Sequence, residues 1–301
     1  MAQAELAFRA TESTSFEIDR DAARENMSPV VAWAVFWFPL AGLAALCAAA
    51  LILRPAYDKI LAEDYPVEWS QFAFCLFNSV VAFLAAQRYA RRRHYAIAAT
   101  LFLLAFGTFM LAGEEISWGQ RVFGVATPGE LASVNDQSEM NLHNITVGFD
   151  LEAVFRQISL VIAVIGTTVT LLARRTPPVL RAAFWQTLSP PLFSVSLFAM
   201  MIGYRIYRIF EAGEVNFAVR MQEWLEFCLY FGMLIAVVCI FLKAPREAPG
   251  AGVGPSWVGR HARRSSTERN RRTLTLIAIN IVVLTLIFAV LTLSSGIKPV
   301  N

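Results

Sequence analysis

Seven times along its 301 residues this chain carries an apolar run approaching or exceeding twenty residues, with almost no charge inside it. A bilayer core about 30 Å thick is crossed by about 20 residues of helix, and inside it every backbone amide must be satisfied within the segment itself, which a helix achieves and a lone strand does not. The runs are Val30–Leu53, Trp69–Gln87, Tyr95–Gly113, Gln157–Ala173, Ala182–Tyr204, Phe227–Leu242 and Thr273–Ile297. The fourth and sixth are short, and need flanking polar residues, including Arg156 and Glu226, to snorkel or to face protein. With 56% hydrophobic and 16% charged residues and a mean hydropathy of +0.51, too few polar side chains remain to coat a soluble domain. Phe and Trp are abundant and Gly and Pro are not, which excludes a disordered or collagen-like chain.

The expected fold is an all-α integral membrane protein, a seven-transmembrane helix bundle over residues 30–297. Residues 1–29 form an amino-terminal tail and 298–301 a carboxyl-terminal one. The first run lies too far in and is too long for a cleavable signal. Basic residues fall in alternate connections: Arg88 and Arg91 to Arg93, then Arg174, Arg175 and Arg181, then Lys243 to Arg272. Counting the tail, 18 of the 26 Lys and Arg lie on that side, and the positive-inside rule makes it cytoplasmic. The protein is therefore expected in the cell inner membrane, amino terminus inside and carboxyl terminus outside. Residues 244–270, rich in Gly, Pro, Ser and Arg, read as a flexible basic cytoplasmic loop facing lipid headgroups, not nucleic acid.

The second and sixth runs begin alike, Glu68-Trp69-Ser70-Gln71-Phe72 against Glu223-Trp224-Leu225-Glu226-Phe227. This suggests a 3+1+3 parallel internal repeat in which the fourth span restores orientation. The four cysteines lie in apolar runs without CxxC spacing and read as small buried hydrophobes. The aromatics Trp33, Phe36, Trp37 and Phe38 read as a membrane anchor, and Asn280, Thr167, Thr168 and Thr170 as interhelical hydrogen-bonding groups. Pro190-Pro191 should kink or delay the fifth span.

Ionisable groups at a bilayer edge cost a few kcal/mol and persist where they have partners or a task. Here Glu68, Glu114, Glu115, Arg205, Arg208, Glu223 and Glu226 all fall at the extracytoplasmic ends of spans. Glu68, Gln71, Cys75 and Asn78 share one helical face. Residues 113–150 are neither span nor simple loop, and should cap the outer mouth. Thr127, Pro128 and Glu130 have the spacing of a capping box. Asn135, Gln137, Glu139, Asn141 and His143 follow, with Glu139 and His143 on one face if helical. Three readings compete: a structural ion-pair network, a membrane-embedded active site, and a binding or transport site. In the active-site reading Glu114 and Glu115 supply a general base or acid, and His143 shuttles a proton. Arg121, Arg205 and Arg208, with Glu68, Asn135, Gln137, Glu139, Asn141, Glu223 and Glu226 around them, hold a phosphate- or carboxylate-bearing, lipid-linked or amphipathic substrate. Glu139-xxx-His143 lacks the spacing of di-iron bundles, so no metal is assigned, and no cofactor or oligomeric state either. Membrane lipids are the expected partners.

The string GEEISWGQR (Gly113 to Arg121), then Thr127-Pro128, then Asn135, Gln137, Glu139, Asn141, Leu142, His143 and Asn144, resembles a motif of uncharacterised bacterial multi-pass membrane proteins. The resemblance implies a recurring unit and transfers no activity. Seven-span zinc hydrolases require three convergent histidines, and His94, His143 and His261 do not share a membrane face. The EExxxR signature of intramembrane glutamate proteases would need Arg where Gly119 stands.

Overall fold

A computed structural model describes residues 17–62, 65–135, 140–142, 145, 151–175, 183–210, 216–244 and 256–295. Regular structure among the described residues is helical, with one isolated antiparallel bridge between Asn135 and Ile145. Among the described residues seven helical stretches are long and apolar enough to cross a membrane, lying in α1 (Pro29–Ile52), α2 (Pro66–Arg91), α3 (Tyr95–Glu115), α4 (Leu151–Arg175), α5 (Val195–Phe210, which crosses together with the turn before it, from Leu192), α6 (Asn216–Lys243) and α7 (Ser256–Ser295). This is the architecture of a multi-pass membrane protein. The two short runs reach sufficient length by taking their polar flanks into the helix, with crossing stretches of 23 residues in α4 and 25 in α6. A short helix at Ala183–Leu188 stops at Ser189–Pro191, and the fifth crossing starts afresh with a 3-10 turn at Leu192–Ser194. Proline lacks the donor that would continue the helix and pushes its predecessor into extended geometry.

Two expectations are revised at the ends of the chain. The expected flexible loop 244–270 carries helix over 256–270, continuous with α7, because no proline follows Pro255 there and Glu268 pairs with Arg272 one turn on (2.6 Å). Residues 245–255 lie outside the described set. In the expected tail, residues 17–24 are helical and docked. Ile18 and Ala22, one turn apart and fully buried, pack with Ala32, Leu192 and Phe193. Asp21 accepts from the Leu192 backbone N–H (2.5 Å), and Asp19 accepts from the Trp33 indole (3.0 Å). A two-residue apolar stripe amid charges is too sparse to read from sequence.

The chain divides into two compact units, Met1–Glu68 with Glu152–Cys239, and Trp69–Leu151 with Ile240–Asn301. These do not coincide with the halves of a 3+1+3 repeat. In the first unit, Pro39 lies inside α1, and carbonyls around it receive donors from two other helices. Ser196 Oγ on α5 donates to Phe36 O (2.7 Å), and Trp224 Nε1 on α6 donates to Pro39 O (3.2 Å). Trp224 lies directly over Gly42, where a Cβ would come within 2.0 Å of its ring. The aromatic group expected as an anchor splits accordingly. Phe38 packs on Trp224, Phe227 and Phe231, Trp33 and Phe36 pack on the buried cluster of the docked helix, and Trp37 stays exposed.

In the second unit, Gln71, Cys75 and Asn78, which share a face of α2 by their spacing, are fully buried. The Arg88 guanidinium sits 3.8 Å from the Phe241 ring centroid and donates to the Phe241 carbonyl (3.3 Å), closing the last turn of the α6 helix. Arg93, at φ 62, ends α2 in a left-handed cap, with His94 N–H bonded to Tyr89 O (3.0 Å) and Arg93 N–H to Ala90 O (2.9 Å). Asn280 and Thr170 bond carbonyls of their own helices, Leu276 and Gly166, four residues back, so these two bonds are not the interhelical ones expected of them. The cysteines are free thiols, three of them buried.

Candidate functional site

The GEEISWGQR segment resolves into a hydrogen-bonded knot at the end of α3, within the second unit. Ser117, Trp118 and Gly119 have φ of 46°, 53° and 81°, one left-handed turn that folds the chain back on the helix it has just left. The Trp118 ring returns across Gly113, where a Cβ would stand 2.9 Å from it. Its indole N–H donates to Glu114 Oε1 (2.7 Å), while the Leu142 backbone N–H donates to Glu114 Oε2 (2.7 Å). Both oxygens of a buried carboxylate thus hold chain that is 4 and 28 residues further on. Gln120 repeats the device with its amide: Nε2 donates to Thr127 Oγ1 (2.5 Å) and Oε1 accepts from the Met140 N–H (2.7 Å).

Buried Asn135 donates from Nδ2 to both the backbone and side-chain oxygens of Asn141 (3.0 Å each), and Asn141 Nδ2 reaches Ser117 Oγ at 3.5 Å. Arg121 is buried in the short helix Gln120–Phe123, which packs on α7 through Phe123 and Phe288. Glu115, one residue past Glu114, is half-buried. Thr127 does not cap a helix: the four-residue helix begins at Gly129 with Pro128 before it, and the Thr127 hydroxyl serves Gln120. Gln137, Glu139 and His143 lie outside the described residues. Met140–Leu142, between the last two, are not helical.

The remaining expected residues belong to the first unit. Glu68 is half-buried at the start of α2. On α5 and α6, Arg205 Nη1 donates to Gln222 Oε1 (3.5 Å), and Gln222 Nε2 donates to Glu226 Oε1 (2.9 Å). The Arg205 Nε and Nη2 are buried and have no hydrogen-bond acceptor. The charges that act on Arg205 are Glu226, Arg156 and Arg208, and Arg156 is itself ion-paired with Glu152. Arg208 and Glu223 are half-buried. Gln222, the bridge between Arg205 and Glu226, was not singled out in the sequence. Its signal is the four-residue step to Glu226, which puts both on one face of α6.

Between α1, α5 and α6 lies an apolar cavity of about 480 Å³ lined by Leu40, Leu43, Ala199, Gly203, Tyr204 and Leu225, among others. Arg205 and Arg208 do not line it, but occupy the same two turns of α5 as Tyr204 and Tyr207, which do. Beyond the crossing stretches, Tyr57 in the short helix Arg54–Ile60 is fully buried, and burial pushes its phenol up to about 12. Among the described residues no three His, Cys, Asp or Glu side chains gather as a metal set. No family model, curated protein or solved structure matches the chain.

Proposed function

We propose that this multi-pass membrane protein binds an amphipathic, lipid-linked molecule by its anionic headgroup, at the end of α5 on the extracytoplasmic side of the inner membrane. The observation that carries the reading is Arg205. A guanidinium presents five N–H donors in a rigid fork matched to phosphate or carboxylate. Two of the nitrogens here are enclosed by protein without an acceptor. A buried donor left unsatisfied costs about 1–3 kcal/mol, and more when charged. An oxyanion that displaces the side chains covering these nitrogens removes that cost, and Arg208 adds a second positive charge nearby.

The test uses the full chain, purified in mild detergent and exposed to phosphatidylglycerol, to phosphatidylcholine with the same chains, and to inorganic phosphate, with retention read by native mass spectrometry. Retention of phosphatidylglycerol over phosphatidylcholine should fall at least tenfold in Arg205→Gln. Displacement by inorganic phosphate would assign the site to a free anion; equal retention by the variant would overturn the proposal.

A second reading, a structural network, is favoured at Glu114. A carboxylate with both oxygens committed to Trp118 and Leu142 is suited to holding the 120–142 segment in place, and poorly suited to abstracting a proton.

A further inference from the structure

We infer that the cavity between α1, α5 and α6 takes one hydrocarbon chain of a membrane lipid whose anionic head lies at Arg205; the identity of the head rests on the reading above, the chain site on separate observations. Every lining residue lies in a membrane-crossing stretch: Leu40 and Leu43 in α1, Ser196 to Tyr207 in the fifth crossing, Met221 and Leu225 in α6. The medium that fills such a space is hydrocarbon. At about 480 Å³ the volume falls within the range of roughly 300–1,000 Å³ typical of small-molecule sites. The Ser196 hydroxyl in its wall spends its proton on the Phe36 carbonyl, and most of the lining is apolar.

The space is kept open by small residues on α5. A Cβ at Gly203 would meet nothing within 4 Å, so nothing in the chain's own packing calls for glycine there. Glycine inside a helix costs up to about 1 kcal/mol relative to alanine. The depth of the cavity also matches the charge. Tyr204 and Tyr207 stand in the two turns that carry Arg205 and Arg208, so a chain lodged beside them brings its headgroup to the level of both guanidiniums.

The experiment measures native-mass-spectrometric retention of phosphatidylglycerol and phosphatidylcholine, with matched chains, by the full-length protein carrying Gly203→Phe, Gly203→Ala or Arg205→Gln. Melting in detergent confirms that each variant is folded. Gly203→Phe, which occupies the cavity, should lower retention of both lipids at least tenfold, while Gly203→Ala leaves it within twofold. Arg205→Gln should lower only the phosphatidylglycerol. If Gly203→Phe is folded and retains both lipids as the parent does, the chain site is overturned, whatever Arg205→Gln shows. If Gly203→Phe loses both lipids and Arg205→Gln loses neither, the chain site stands and the headgroup reading fails. A folded Gly203→Ala that loses lipid as fully as Gly203→Phe also overturns the chain site, since a methyl group leaves room for the chain.

Discussion

Replacing Glu114 by glutamine keeps the shape of the side chain and exchanges one carboxylate oxygen for an NH₂ group. Since Oε1 accepts from the Trp118 indole and Oε2 from the Leu142 amide, the new NH₂ must face one of these donors. One charge-assisted hydrogen bond is lost, worth about 1.5–3 kcal/mol, and the other loses its ionic character. Trp118 and Leu142 are 38% and 44% exposed, so water relieves part of the penalty, and a net cost of about 2 kcal/mol is expected for closing the segment. At 1.4 kcal/mol per decade, the Leu142 amide should exchange its hydrogen about 30-fold faster in Glu114→Gln. The assay is hydrogen exchange by mass spectrometry on the detergent-solubilised protein, following peptides that cover residues 120–142. Glu130→Gln, an exposed carboxylate in the helix Gly129–Ala132, is the control and should leave that exchange unchanged. Exchange in Glu114→Gln within threefold of the parent would refute the claim that this carboxylate holds the segment.

The same substitution should have opposite signs at two glycines of the first unit. Gly42→Ala forces a methyl into the Trp224 ring and should cost about 1–3 kcal/mol, whereas Gly203→Ala meets open space and should gain up to about 1 kcal/mol; detergent melting curves check both. Arg93→Gly relieves a left-handed L-residue in the α2–α3 turn and should stabilise by about 1 kcal/mol, and a lower melting point would count against the strain. The Tyr57 phenol is raised from 10.0 to about 12 by burial, opposed by Arg54 and reinforced by Asp58. Because folding favours its neutral form, the stability it contributes is complete below pH 10 and is lost as pH rises toward about 12. A difference titration of phenolate absorbance against Tyr57→Phe should show one tyrosine ionising near 12, and a midpoint near 10 would contradict its burial.

The crossings were legible because a bilayer imposes length and apolarity on a chain continuously, and the shared face of Gln71, Cys75 and Asn78 on α2 because these residues keep helical spacing, though not that this face is buried. The inner workings of GEEISWGQR were not. Glu114 and Gln120 act on backbone amides at Leu142 and Met140, and a backbone N–H has no residue identity through which sequence could announce it as a partner. Thr127 was misread for a related reason. Its spacing to Glu130 fits a capping box, yet the contact that captured its hydroxyl came from Gln120, seven residues earlier. The docked helix at residues 17–24 escaped notice because two buried apolar residues among charges carry no periodic signal, and Leu192 and Phe193, which complete its seat, lie far along the chain.

The bond from Leu192 to Asp21 spans 171 residues and thereby sets an order on assembly. At a synthesis rate of about 5–20 residues per second, the acceptor exists for roughly 10–30 s before its donor is made. During that interval the leading helix has only the α1 side of its seat, Ala32 and Trp33, while the places of Leu192 and Phe193 are filled by lipid or a chaperone. Its final seat is completed only when the fifth crossing emerges, so a nascent chain truncated before Pro190 should leave the leading segment open to protease, and one extended beyond Phe210 should protect it.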